Sequence, residues 1–147
     1  MRGYQEDGNE TFPAGSILDK TLPLWRMVEV LLHAERLASL LRRGPDIAVT
    51  IHFRAMFTGL TGRVLRSWAT PLSDMLIQGH AARSDEAVLE TSLSADNVEG
   101  RLAELLLPLL SSLFDRFGIA GLSLNRVEAE VKRLLNRPMS RDRPTQS

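Results

Sequence analysis

The sequence contains no cysteine. This absence excludes disulfide bonds, thiolate metal sites and cysteine nucleophiles, and it agrees with a reducing compartment. No run approaches the roughly 20 apolar residues of a membrane-spanning helix, and residues 1–15 lack the basic and apolar regions of a secretory signal. We therefore expect a cytoplasmic protein that does not enter a membrane.

The chain also lacks net charge, since its 18 basic residues are balanced by 18 acidic ones. No overall field attracts it to nucleic acid or to an anionic membrane, so any such binding would need a local patch. The motifs of catalysis and cofactor binding are missing as well: there is no P-loop, dinucleotide fingerprint, His-Glu-x-x-His or nucleophile elbow. We therefore expect a protein that binds rather than catalyses, with no cofactor and no metal.

At 147 residues the chain has the length of one ordinary domain. Residues 1–15 are polar and punctuated by glycine and proline, which predicts a disordered arm. Residues 137–147 contain two prolines and three arginines and predict a disordered basic tail. A single α+β domain is then expected over residues 16–136.

Three stretches have the apolar spacing of helices. The first runs from Thr21, a predicted N-cap, to Leu41 and ends before Gly44-Pro45. The second follows the capping residues 94–97 and continues to about residue 117, with a kink expected at Pro108. The third begins after the predicted N-cap Ser123 and ends near residue 136.

Between the first two helices, residues 47–93 predict two β-hairpins joined by a turn at Pro71. Large apolar residues alternate along 47–57, which is the pattern of a half-buried strand. Gly59 and Gly62 can take positive φ and would turn the chain back. The predicted strands are 47–57, 63–69, 75–82 and 86–93. The expected fold is therefore a helix, a four-stranded antiparallel meander, and two helices packed on one sheet face.

The outer face of the first predicted hairpin suggests a nucleic-acid contact. The expected register places Arg54 opposite Arg66 and His52 opposite Trp68, so an indole ring would lie among guanidinium groups. Those are the ingredients of a surface on which single-stranded bases stack. The alternative is that another element of the chain, or a second copy, packs on this face.

Two weaker patterns have simpler explanations. His80, Glu86 and Glu90 could share the outer face of the second hairpin and bind a divalent metal, but Glu90 is expected opposite Gln78, which favours an ordinary solvated surface. Residues 118–121 spell GxxG between two helices, as in the nucleic-acid clamp of KH domains. The interior of that loop is apolar, so a helix cap and turn account for both glycines.

The second helix suggests assembly, because residues 105–110 are apolar on nearly every side. The sheet could cover one side and another helix a second, which leaves the rest for a second subunit. The sequence thus predicts a regulatory binding module that acts as a homo-oligomer or with a protein partner. Alternatives are a nucleic-acid-binding accessory domain and a small-ligand sensor with Ser67 and Thr91 in its pocket. The predicted interface residues are Trp25, Leu37, Leu40, Leu106, Leu107 and Leu110.

One run resembles a known family. The segment 57–65, FTGLTGRVL, follows a tryptophan-bearing helix and precedes VEGRL at 98–102, which leads into a helix rich in leucine with one proline. Over about residues 20–117 this arrangement resembles the region C-terminal to the ATP-binding module in bacterial Schlafen-like transcriptional regulators. That module has no counterpart here, so no functional residue carries over. The resemblance implies an accessory domain for sensing or assembly.

Overall fold

The structure is a computed structural model that describes residues 4–6, 9–66 and 79–136, with side chains described from residue 13 onward. It is an α+β protein, and the described residues form three α-helices, as the sequence predicts. The helices are α1 (Thr21–Leu41), α2 (Leu102–Asp115), which follows a 3₁₀ turn at Glu99–Arg101, and α3 (Leu124–Leu135). The strands are β1 (Tyr4–Glu6), β2 (Asn9–Phe12), β3 (Ile17–Asp19), β4 (Thr50–Phe57), β5 (Val64–Arg66) and β6 (Ala87–Ser94).

Helix α1 has the predicted bounds, but a different residue caps it. The Asp19 carboxylate accepts hydrogen bonds from the Thr21 backbone N–H at 2.9 Å and from the Thr21 hydroxyl at 2.7 Å. Asp19 therefore provides the side-chain cap that the sequence predicts at Thr21. At the start of α3 the prediction is confirmed, because the Ser123 hydroxyl accepts the Arg126 backbone N–H. Local capping chemistry therefore starts both helices close to where the sequence places them.

The predicted four-stranded antiparallel meander is wrong. The strands form three separate pairs: β1 with β2 and β4 with β6 are antiparallel, while β3 and β5 are parallel. Gly59 and Gly62 do take positive φ, but the chain between them does not fold back onto β4. Leu60, only 2% exposed, instead anchors this loop in the core. Of the predicted strand 75–82, residues 75–78 lie outside the described residues and 79–82 are not in a strand.

The two faces of β4 are as the sequence predicts. Phe53 is buried, whereas His52, Arg54 and Met56 are exposed. Only the partner strand differs, because β4 pairs along its whole length with β6. Alternation along a strand assigns its faces, but it does not identify the strand that lies beside it.

Helix α2 lies at the centre of the core and packs against α1, α3 and β6. Leu106 and Leu110 are 0% and 1% exposed, and α2 carries no exposed large apolar side chain. Its exposed stripe follows steps of four, four and three residues and consists of Glu104, Pro108, Ser112 and Asp115. The helix runs through Pro108, which lies on this exposed side. The expected surplus of apolar surface on this helix is therefore absent.

Within residues 1–15, the predicted arm, β1 and β2 pair as a short antiparallel hairpin. The predicted basic tail, 137–147, lies outside the described residues. Among the helices that the structure describes, none combines the length and the hydropathy needed to cross a bilayer.

Candidate functional site

Helix α1 has a second apolar face, which points away from the core. We define the outer face of α1 as Val30, Leu37, Leu40 and Leu41, all exposed, with Leu40 and Leu41 reaching 83% and 70%. Residues 30, 37 and 41 are seven and four positions apart, so they follow one stripe along the helix. Ile47, also exposed, lies shortly after the helix in sequence. Exposed apolar residues gathered in this way mark surfaces of interaction.

The six predicted interface residues divide into exposed, buried and half-buried pairs. Leu37 and Leu40 are exposed, as an interface requires. Leu106 and Leu110 are buried in the chain's own core, so the prediction that they form a contact surface is wrong for the folded monomer. Their helical stripe is covered by α1, α3 and β6 rather than by a partner.

The two remaining members of the predicted interface are half-buried. Trp25 and Leu107 both pack against the main core cluster. The guanidinium carbon of Arg133 lies 5.8 Å from the centroid of the Trp25 ring, within the range of a cation–π contact. Trp25 thus helps to hold α3 against α1.

Val30, Leu41 and Ile47 are not among the predicted interface residues, yet all three are exposed. A signal was present in the sequence, because the apolar residues of α1 extend around most of its circumference. That pattern requires cover on two sides, and it occurs on α1 as clearly as on α2. Only the three-dimensional packing decides which of the two helices the chain itself covers.

The proposed nucleic-acid residues are not brought together as predicted. Arg54 faces Glu90 across β4 and β6, and its Nε lies 2.9 Å from the Glu90 carboxylate. His52 Nδ1 lies 2.8 Å from the Ser92 hydroxyl. Arg66 is half-buried on β5, and Trp68 lies outside the described residues. The outer face of β4 therefore carries a neutral ion pair where two facing arginines were expected.

The suggested metal ligands do not converge either. Within residues 13–66 and 79–136, no group of three histidine or acidic side chains could hold a metal ion. The imidazole of His80 lies against Gly118, so closely that a Cβ atom there would collide with the ring. Gly118 and Gly121 both have positive φ, as the helix-cap and turn interpretation predicts.

Asp85 connects the loop after β4 to the segment that precedes β6. Its carboxylate accepts the backbone N–H groups of Gly59 at 3.3 Å and Thr61 at 3.4 Å, and its own carbonyl accepts that of Leu60. The Thr61 backbone and hydroxyl hydrogen bonds hold the pKa of Asp85 below its ordinary value, with the Gly59 amide and the nearby Arg63 charge adding to the effect. Asp85 is thus a structural residue that fixes the loop after β4.

A cavity of about 320 Å³ lies between the start of α1, β5, the second half of α2 and the first turns of α3. Its walls are mainly apolar, and Lys20, Arg126 and Glu130 are its charged members. Of the polar groups predicted for a ligand pocket, Thr91 lies on β6 and does not line this cavity, while Ser67 lies outside the described residues.

The sequence matches no family model, and comparisons with curated proteins and with solved structures found no match. The resemblance to Schlafen-like regulators therefore stays a prediction from the short run at 57–65.

Proposed function

We propose that the protein is a non-catalytic binding module that assembles with a second copy of itself through the outer face of α1. The observation that carries this proposal is the exposure of Leu40 and Leu41 beside Leu37 and Val30. Fully burying one leucine side chain is worth about 1.5–3 kcal/mol. Four neighbouring apolar side chains therefore provide a strong tendency to pair.

A second copy suits this face because the face is uniform in chemistry and complementary to itself. Two α1 helices that cross near Leu37 would bring the leucines of both copies together in a two-fold symmetric contact. The chain's zero net charge creates no overall repulsion between copies. The exposed ion pair Arg26–Glu29, with atoms 3.1 Å apart, places balanced charges on the preceding turns of the same helix.

Light scattering after size exclusion tests the proposal directly. We expect the wild-type protein to have twice its chain mass of 16.4 kDa, and the variant carrying Leu40→Asp and Leu41→Asp to have the single-chain mass. Because both side chains are exposed, the variant should keep the wild-type circular dichroism spectrum. Leu135→Asp is the matched control, since Leu135 is an exposed leucine on a different helix.

Two results would contradict the proposal. One is a wild-type protein that stays monomeric over the whole accessible concentration range. The other is an unchanged dimer in the Leu40→Asp and Leu41→Asp variant, which would move the interface to another surface. Loss of the dimer in Leu135→Asp as well would show that the contact is not specific to α1.

An assembly face agrees with what the resemblance to Schlafen-like regulators implies, namely an accessory domain for sensing or assembly. The nucleic-acid alternative has less support, because Arg54 is already paired with Glu90 and does not face Arg66. Phosphate binding at Arg54 would first have to displace that carboxylate.

A further inference from the structure

The cavity at the start of α1 has the construction of a small-molecule site. It lies between elements that are far apart in sequence, and its volume of about 320 Å³ is at the lower end of the range for ligand pockets. The apolar side chains that form its walls are Leu24, Leu65, Leu110, Phe114, Ile119, Leu122 and Val127. Such walls can shield the hydrocarbon part of a ligand from water, and they contain no hydrogen-bonding groups.

The space exists because small residues line one side of it. Ala120, Gly121 and Ala129 are all at the cavity. Gly121 has φ +77°, a conformation that favours glycine, and an added Cβ atom would meet no other atom within 4 Å. The exposed turn between α2 and α3 therefore borders the cavity with small residues.

The charges at the cavity favour an anion. Arg126 is exposed and belongs to the first turn of α3, where the positive end of the helix dipole adds to its own charge. The ion pairs found among the described residues do not include Arg126. Glu130, the acidic member of the lining, lies 3.5 Å from Arg133, and its Oε2 atom is buried without a hydrogen-bond partner. The lining still carries two cations, Lys20 and Arg126, against this one carboxylate. A guanidinium group binds a carboxylate through two parallel hydrogen bonds.

From this arrangement we infer that the cavity binds a small hydrophobic carboxylate, with its hydrocarbon body between Leu24, Phe114 and Val127 and its carboxylate on Arg126. This inference is independent of the proposed self-assembly, because no residue of the outer face of α1 lines the cavity. Either can therefore fail without the other.

Calorimetric titration with three probes of equal chain length tests the class of ligand. We expect saturable binding of octanoate, weaker binding of octanol, which lacks the charge, and the weakest binding of octylammonium. Arg126→Gln should weaken octanoate by about tenfold, the usual worth of one charge-assisted contact, and leave octanol unchanged. Lys132→Gln is the matched control on the same helix, because Lys132 is an exposed cation that does not line the cavity.

A second variant tests the location. Ala129→Leu places a larger side chain at the cavity, so it should abolish octanoate binding. Leucine is nearly as good a helix former as alanine, so the melting temperature should stay close to the wild-type value. The inference is overturned by an absence of saturable octanoate binding, by octylammonium binding as well as octanoate, or by Arg126→Gln leaving octanoate affinity unchanged. Undiminished binding in Ala129→Leu would also overturn it.

Discussion

Single carboxylates join parts of this protein that are far apart in sequence. Asp85 holds the loop after β4 through the backbone amides of Gly59 and Thr61. Asp96 binds Arg42 with a distance of 2.7 Å between Nη2 and Oδ1, which lowers the pKa of Asp96. In both cases the folded state favours the ionised carboxylate. These links are therefore sensitive to acid.

The sign of the pH effect at Asp85 follows from its lowered pKa. Because the folded state binds the proton less tightly than the unfolded state, the stabilisation is complete above the ordinary value of 3.8 and is lost as the pH falls through the folded-state value. We expect Asp85→Asn to lower the urea midpoint at neutral pH, and we expect this difference to shrink in acid.

Unfolding at neutral pH and at a pH well below the ordinary value of 3.8 measures the effect. Glu128→Gln is a suitable control, because Glu128 is an exposed carboxylate on α3, and its urea midpoint should stay at the wild-type value at both pH values. An Asp85→Asn deficit of equal size at both pH values would contradict the role assigned to the ionised carboxylate.

At the scale of elements, α1 caps the helix that follows β6. The Glu35 carboxylate accepts the backbone N–H groups of Val98 at 2.8 Å and Glu99 at 3.3 Å, where the 3₁₀ turn before α2 begins. These amides belong to a helix start and have no partner within the helix. A side chain from one helix thus satisfies the first amides of another.

Removing this cap should weaken the whole fold. We expect Glu35→Ala to lower the free energy of unfolding by about 1–2 kcal/mol, the usual value of a helix cap. Glu35→Gln should lose less, since its amide oxygen still accepts one hydrogen bond. Glu29→Ala, which removes only an exposed ion pair with Arg26, should lose about 0.5 kcal/mol or less. Urea denaturation measures all three, and equal losses at residues 29 and 35 would contradict the capping role.

The helices could be predicted from the sequence because their causes are local. Apolar spacing and cap residues such as Ser123 lie within a few positions of each other. The faces of β4 follow from local alternation in the same way. The partner of β4 could not be predicted, because it depends on Leu60 entering the core and on Asp85 holding the loop. Both depend on packing between distant parts of the chain.

The candidate site also depends on packing that the sequence does not show. Leu37 and Leu40 were predicted at an interface and are exposed, whereas Leu106 and Leu110 were predicted there and are buried. Both helices are apolar around much of their circumference, so composition alone could not rank them. The cavity has no local pattern at all, since its walls come from α1, β5, α2 and α3.

At the scale of the whole molecule, α2 determines stability because it is buried in the core, whereas α1 exposes apolar side chains to solvent. We expect Leu106→Ala to lower the free energy of unfolding by about 2–5 kcal/mol, because it opens a cavity at a fully buried position. Leu40→Ala, at a position that is 83% exposed, should change it by about 0.5 kcal/mol or less. Urea denaturation at low protein concentration, where any dimer dissociates, measures both. Equal losses would contradict the central position of α2.

The pairing of β4 with β6 has a consequence for how the chain reaches this structure. Residues 57 and 87 are paired at one end of the ribbon and residues 50 and 94 at the other, so a long loop must close before the ribbon can form. Contacts between such distant residues slow folding. The ribosome synthesises β4 well before β6. Until β6 emerges, the backbone groups of β4 that pair with β6 have no strand to bind. We therefore expect the rate at which the segment between β4 and β6 is translated to determine how much of the nascent chain aggregates.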